Sequence, residues 1–182
     1  MVYTIAQIIG FLAFIISLIA YHRKKKSKIL GNMVISNILN LVHYLLLGAY
    51  SGCITKVMAT IRDSFIIAKE KNKKLSSYVF LALFIIAYIV CAIFTYKGIL
   101  SLFPLLAAII YIIPIWNGNE KTIKKTAFFC YFLWLAYNIF VFSIAGIVSN
   151  IVSIISTFIA ILNENKNIKK WVFTKRKGVK KW

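Results

Sequence analysis

Acidic side chains are nearly missing from this chain. Asp63, Glu70, Glu120 and Glu164 are the only four in 182 residues. Acid–base catalysis needs positioned carboxylates or histidines, and no two of these acids form a pair in the sequence. There is no HExxH, no phosphate-cradling glycine loop and no Ser/His/Asp set, so the sequence does not read as an enzyme and implies no catalytic residues, metal site or cofactor. Proline is almost absent: Pro104 and Pro114 are the only two. The three cysteines, Cys53, Cys91 and Cys130, fall within or at the ends of apolar runs. They have no metal-ligand spacing and imply free thiols rather than a disulfide framework. Also missing is any polar stretch long enough to fold as a separate soluble domain.

What is present is apolar. Hydrophobic residues make up 61% of the chain and the mean hydropathy is +0.83, against roughly half in soluble domains. The excess is gathered into runs separated by short charged clusters. A bilayer core of about 30 Å needs roughly 20 apolar residues in a helix, and in lipid the backbone must satisfy its own hydrogen bonds. The spacing predicts helices over 3–21, 29–48, 53–68, 76–96, 99–116, 125–143 and 147–162. The expected fold class is an all-α integral membrane protein with seven transmembrane helices.

The charge is as lopsided as the hydropathy, with 23 Lys and Arg giving a net charge of +19. The basic residues sort by loop. Clusters follow the first helix (Arg23 to Lys28), the third (Lys69 to Lys74), the fifth (Lys121 to Lys125) and the seventh (Lys166 to Lys181). Only Lys97 lies in an alternate loop, and only Lys56 and Arg62 lie inside a helix. Positive charge stays on the cytoplasmic side, so the expected topology is N-terminus outside and C-terminus cytoplasmic. The first apolar run begins at Tyr3 and its basic cluster follows it, the reverse of a cleaved secretory signal. The tail 164–182 is basic and carries Trp171, Phe173 and Trp182. Anionic headgroups attract such a segment by about 1 kcal/mol per basic residue, which reads as a membrane-hugging tail in preference to an arm for nucleic acid or protein.

A shift of 94 residues lays the first three helices on the last three without a gap. Gly52 falls on Gly146, Glu70 on Glu164, Gly10 on Pro104, and Leu39 and Leu41 on Leu133 and Leu135. For two three-helix units to share one orientation an odd helix must join them, and 76–96 has no repeat partner. The expected plan is 3+1+3: a first repeat at 1–75, a linker helix at 76–98, a second repeat at 99–163, then the tail. Parallel repeats about the membrane normal are one transporter design, with the solute site near the midplane between halves.

The segments His43-Tyr-Leu-Leu-Leu-Gly-Ala-Tyr50, Ala59-Thr-Ile-Arg62, Trp134-Leu-Ala-Tyr-Asn138 and Ser143-Ile-Ala-Gly146 resemble the YgjV-type bacterial inner membrane proteins over roughly residues 5–163. That family is similar in plan to the SWEET and SemiSWEET sugar facilitators, the PQ-loop proteins and the nicotinamide riboside transporters. The resemblance implies a bacterial inner membrane location and a small-solute pathway between two three-helix bundles. It implies no particular substrate. This chain departs from the wider pattern: it has no Pro-Gln dipeptide, and both prolines sit in the fifth helix, so symmetric proline hinges are not expected.

Polar residues inside the runs supply the candidate site. An ionisable residue at the bilayer centre costs about 2.5–3.5 kcal/mol on insertion scales and is a functional candidate by default. The third helix carries Lys56, Arg62 and Asp63, with Lys56, Thr60 and Asp63 on one face. Either Lys56 snorkels outward and Arg62 merely pairs with an acid, or Arg62 or Asp63 faces the pathway and binds or gates a solute. In the second helix Asn37, Asn40 and Tyr44 form a stripe, and the repeat places Tyr131, Trp134 and Asn138 opposite them in the sixth. Two such stripes suit a ring-bearing or hydroxylated solute, the rings giving area and the amides orientation; equally, they could only bond helix to helix. His43 invites proton coupling but has no acid at i±3 or i±4, which favours packing. Asn150 and Ser153, with Thr157, make a stripe on the seventh helix. The third and seventh helices are both short in this reading, a matched pair that points to a transporter site.

The sequence thus predicts a carrier of a small polar metabolite, with the lipid bilayer and that solute as partners, no nucleic acid, and oligomer formation left open. The alternative is a non-transporting scaffold or sensor with a basic cytoplasmic tail.

Overall fold

A computed structural model describes the backbone of residues 1–21, 26–72, 77–117 and 120–178, and the side chains within those ranges except 20–21, 26–27, 29, 70–71, 117, 120–121 and 163–178. Arg23–Lys25, Lys73–Lys74 and Trp182 lie outside the described residues, as do the side chains of Lys26 and Lys121, of the acids Glu70, Glu120 and Glu164, and of the basic tail with Trp171 and Phe173. Among the described residues there are seven α-helices and no strand. They are α1 (Val2–Tyr21), α2 (Lys26–Leu46), α3 (Tyr50–Lys71), α4 (Tyr78–Phe94), α5 (Phe103–Asn117), α6 (Glu120–Phe140) and α7 (Ile144–Gly178). A single 3₁₀ turn, Ile99–Leu102, leads into α5.

The helices sit where the apolar runs place them, but two have other lengths. α3 has 22 residues and α7 has 35, so the expectation of a matched short pair is corrected. The runs there end at charged residues, yet Lys, Glu and Arg are good helix formers and no proline follows Pro114. The helix therefore continues after the apolar stretch stops.

Helices adjacent in sequence pack as antiparallel neighbours: α1 on α2, α2 on α3, α5 on α6 and α6 on α7. Between the two groups, α1 packs on α7 and α3 on α5, and α4 lies against α5 and α3. One apolar core joins α2, α3, α4 and α5 through Leu30, Ile66, Tyr88, Leu105, Ile112 and Trp116. A smaller one, around Tyr44, Ala49 and Tyr137, lies beside the α2–α3 and α6–α7 turns.

The distribution of polarity is inverted relative to a soluble protein. Asn37, His43, Arg62, Asp63, Asn138 and Asn150 are buried. Outside, Leu12, Ile15, Ile86, Ile93, Phe94, Ile155 and Phe158 are exposed. Contiguous apolar surface of this kind is not sustained in water; against lipid it is the favourable arrangement. Val2–Ile19, Ile99–Trp116 and Ile144–Leu162 are long and apolar enough to cross a membrane, while Leu30–Leu46 and Tyr78–Phe94 are shorter apolar stretches.

The two tight turns are built alike. After α2, Leu47 N–H donates to His43 O (3.2 Å), Gly48 N–H to Leu45 O (3.0 Å) and Ala49 N–H to Tyr44 O (2.9 Å). After α6, Val141 N–H donates to Tyr137 O (3.0 Å), Phe142 N–H to Ile139 O (3.2 Å) and Ser143 N–H to Asn138 O (2.9 Å). This is the Schellman closure, which needs one residue in the left-handed region. Gly48 takes it at φ 66° and Phe142 at φ 53°. Each donor and acceptor of the second turn lies 94 positions beyond its counterpart in the first.

Candidate functional site

A cavity of about 130 Å³ lies between α1, α2, α3, α6 and α7. Eight of the residues expected from the sequence line it: Asn37, Asn40 and Tyr44 from α2, Tyr131, Trp134 and Asn138 from α6, and Asn150 and Ser153 from α7. The stripe spacing is the reason. Residues three, four and seven apart share a helix face, so each polar stripe turns inward as a unit while the apolar faces meet lipid. Ser17, Ser36 and Ser149 add hydroxyls.

The α2 and α6 stripes touch each other at the turn end of the cavity. Tyr44 and Trp134 stack with centroids 5.8 Å apart at 26°, and Tyr44 Oη–H donates to Asn138 Oδ1 at 2.9 Å. Of the two readings of these stripes, a solute wall and a bond from helix to helix, the aromatic pair makes the second here, while both stripes still line the cavity. The rest of the wall mixes amides and hydroxyls with Phe14, Met33 and Lys56. Some of these are held in place: Asn40 Nδ2 donates to Ser36 O at 3.0 Å, and Ser36 Oγ to Ala13 O at 2.8 Å.

The turn end is sealed by a second set of bonds. Ser51 Oγ–H and Gly52 N–H both donate to the Tyr137 hydroxyl at 2.9 Å. Gln7 Oε1 accepts from Ala145 N–H at 2.9 Å, and Tyr3 Oη–H donates to Phe142 O at 3.0 Å. Gly10, Tyr44, Asn138 and Ala145 are buried at this end. Phe14, Ser17, Met33, Tyr131 and Ser153, toward the basic-loop end, are partly exposed.

Three expected site residues do not line the cavity. His43 is fully buried behind it, one residue (about 100°) round α2 from Tyr44. Its Nδ1 lies 2.6 Å from Ala6 O and its Nε2 2.7 Å from Ser143 Oγ. A carbonyl can only accept, so Nδ1 carries the proton. The Ser143 hydroxyl then donates to Nε2 while accepting from Gly146 N–H at 3.0 Å. Both ring nitrogens are thus partnered, and the histidine ties α1 and α2 to the start of α7. Arg62 and Asp63 are also outside the lining. Arg62 donates from Nε (2.9 Å) and from its Nη2 (2.8 Å) to Asp63 Oδ1, and its guanidinium faces the Tyr111 ring on α5 at 5.6 Å. Asp63 reaches the cavity only through Asn37, whose Nδ2 donates to Asp63 Oδ2 at 3.0 Å. The carboxylate therefore orients a lining amide rather than meeting a solute.

Lys56 is the lining residue the sequence reading missed. It does not snorkel outward. It lines the cavity with Nζ 4.2 Å from the Trp134 ring centroid. The available signal was its shared face with Thr60 and Asp63 together with its repeat partner, Asn150. Asp63, the only acid among the described side chains, is taken by Arg62, so Lys56 has no carboxylate partner there. A cation–π contact returns about 0.5–2 kcal/mol to this partly exposed ammonium, which lies six residues after the start of α3 at Tyr50. Among the described residues, no three His, Cys, Asp or Glu side chains gather as metal ligands.

Gly10 is where α1 comes closest to the seal. A Cβ there would stand 2.7 Å from Ala145 Cβ and 2.9 Å from the His43 ring, so α1, α2 and α7 approach as they do only because position 10 has no side chain. Gly10→Ala is expected to lower stability by about 1–3 kcal/mol, the usual cost of overpacking, measured as the midpoint of thermal unfolding in detergent. An unchanged midpoint would show that the three helices separate freely here.

A family model described as Imp-YgjV, "Bacterial inner membrane protein", matches residues 4–167. No curated protein matches the chain, and no solved structure matches it.

Proposed function

The chain belongs to the Imp-YgjV family of bacterial inner membrane proteins, and from that premise we propose that it carries a small polar solute through the cavity between two three-helix units. The single observation behind this reading is the cavity itself: amide- and hydroxyl-lined, inside an apolar shell, and sealed at one end by side-chain bonds. Such a site, closed on one side, suits alternating access, in which two units rock about a fixed central site.

Seven membrane crossings in a 3+1+3 plan, N-terminus outside and C-terminus cytoplasmic, belong to the same proposal. The packing supports it. Under the 94-residue shift α1 maps to α5 and α7 to α3, so the contact of α1 with α7 becomes that of α5 with α3, and both occur. The Schellman turns correspond bond by bond. Tyr44 and Asn138, which bond to each other, are themselves equivalent positions. The lining pairs Asn37 with Tyr131, Asn40 with Trp134, and Lys56 with Asn150 under the same shift. The basic clusters then fall on one face, as the positive-inside rule requires.

A scaffold reading draws on the same bonds, since Asn37–Asp63 and Tyr44–Asn138 are also what helix packing alone would make. A thermal-shift screen of the purified protein against nucleosides, vitamins, amino acids, sugars and small organic acids decides between them. A ligand that binds only the folded state adds RT ln(1 + [L]/Kd), about 2.7 kcal/mol at a hundredfold excess. Stabilisation by one class, lost in Asn150→Leu, is the expected result. If every class left the midpoint where it was, the carrier reading would fall and the scaffold would stand.

A further inference from the structure

We propose that the solute is a small organic anion whose carboxylate seats against Lys56; this rests on the carrier reading and names its substrate class.

The argument starts from the charge left over. Three ionisable residues lie within α3 between Tyr50 and Ala68: Lys56, Arg62 and Asp63. Two of them cancel, since Arg62 holds Asp63 Oδ1 through two nitrogens, both at under 3 Å. The third, Lys56, lies on the cavity wall with an aromatic face beneath it and no carboxylate among the described side chains to meet it. Lys56 is partly exposed, and an ammonium held away from bulk water is most favourable when an anion completes its surroundings. The cavity is a space in which Lys56 can meet a solute.

The backbone adds to this field. The first turn of α7 supplies Ala145 and Gly146 to the wall at the sealed end, and a helix N-terminus carries a positive partial charge. No described carboxylate lies among the seventeen lining residues to oppose it. The remaining polar groups, Asn37, Asn40, Asn150 and the serines, offer amide and hydroxyl partners for neutral parts of a solute.

The number of cations selects the type of anion. A phosphate dianion draws on several donors, typically with an arginine fork among them. Among the described side chains one ammonium, Lys56, is available on the wall, and the guanidinium of Arg62 is committed to Asp63. A single carboxylate matches a single charge. The cavity volume of about 130 Å³ confines the solute to a few heavy atoms, and the amides favour one that also carries hydroxyl or keto oxygens.

The test uses the full-length protein in nanodiscs at fixed ionic strength. Glycolate, lactate and glycerate are compared with ethylene glycol, propane-1,2-diol and glycerol, their uncharged counterparts of similar size. Binding is read by saturation-transfer NMR and by tryptophan fluorescence, which responds at Trp134 because the ammonium lies on its ring. The carboxylates are expected to bind at least tenfold more tightly than the alcohols. Lys56→Gln should remove that preference, and Lys56→Arg should keep it, which also guards against a folding defect in the first variant. Equal binding of acids and alcohols in the wild type, unchanged in Lys56→Gln, overturns the anion proposal and leaves the cavity as a site for neutral solutes. If neither set binds, the anion proposal falls, and the carrier reading stands or falls separately by the thermal-shift screen of the other solute classes.

Discussion

Asp63→Ala is expected to cost about 3–5 kcal/mol of stability, the range for removing one partner of a buried ion pair. The loss has two parts. Arg62 is 5% exposed and Asp63 is 2% exposed, so without the carboxylate the guanidinium is left inside α3, α4 and α5 with the neutral side chains of Tyr111 and Tyr88 beside it. Asn37 Nδ2 also loses its acceptor. The pair need not be stabilising in itself, because desolvation offsets much of the attraction. Arg62→Met combined with Asp63→Leu should therefore recover most of the stability that Asp63→Ala loses. It should not recover solute binding, since the amide of Asn37 remains unanchored at the cavity wall. Thermal unfolding and ligand binding, measured on the wild type and these two variants, separate these effects. A double variant less stable than Asp63→Ala would show that the pair contributes more than mutual neutralisation.

That ion pair also shows what the sequence could and could not reveal. Each polar stripe on α2, α6 and α7 was legible because three or four residues in register fix a helix face without reference to anything else. Eight of those residues meet in one cavity. The isolated ionisable residues were not legible in the same way. Arg62 and Asp63 point about 100° apart by helix geometry, yet the guanidinium is long enough to fold back onto its neighbour. Reach, not periodicity, decides where such a side chain ends. Lys56 was misjudged for the same reason: a flexible stem near a helix end can run outward or inward, and only the position of Trp134 across the gap settles which. His43 sits next to the α2 stripe, but its partners, Ala6 and Ser143, come from α1 and the start of α7, far away in the chain.

The turns make the point from the backbone. Gly48 announces a left-handed residue, because glycine takes positive φ without cost. Phe142 announces nothing, since a bulky residue at φ 53° is uncommon. Its conformation is imposed by the closure around it, in which Ser143 N–H reaches Asn138 O. The 94-residue shift carries the signal of Gly48 onto Phe142, so internal comparison supplies what the local residue hides. The length of α7 was hidden differently. Hydropathy marks where a helix can leave the apolar layer, not where its backbone stops being helical.

The seal at the turn end provides the second large effect. Tyr137→Phe removes the one acceptor shared by Ser51 Oγ–H and Gly52 N–H. Tyr137, Ser51 and Gly52 are all buried, so both donors are left unsatisfied, at about 1–3 kcal/mol for such a group. In a carrier, that cost falls on the state closed at this end. The opposite state then gains population, roughly tenfold for each 1.4 kcal/mol. Ser149, on the cavity wall one turn along α7 from Ala145, serves as the reporter once changed to cysteine in a chain with Cys53, Cys91 and Cys130 replaced by alanine. With the seal intact, a membrane-impermeant maleimide should reach position 149 from the basic-loop side and hardly at all from the turn side. Adding Tyr137→Phe should raise labelling from the turn side about tenfold or more. Intact cells and inverted vesicles present the two faces separately, so the same labelling assigns the orientation: the turn side must be the outer one if the positive clusters are cytoplasmic. If the rate at position 149 does not respond to Tyr137→Phe on either face, the bonds to Tyr137 hold helices together without gating the cavity, and closure at this end must rest on the Tyr44–Trp134–Asn138 contact.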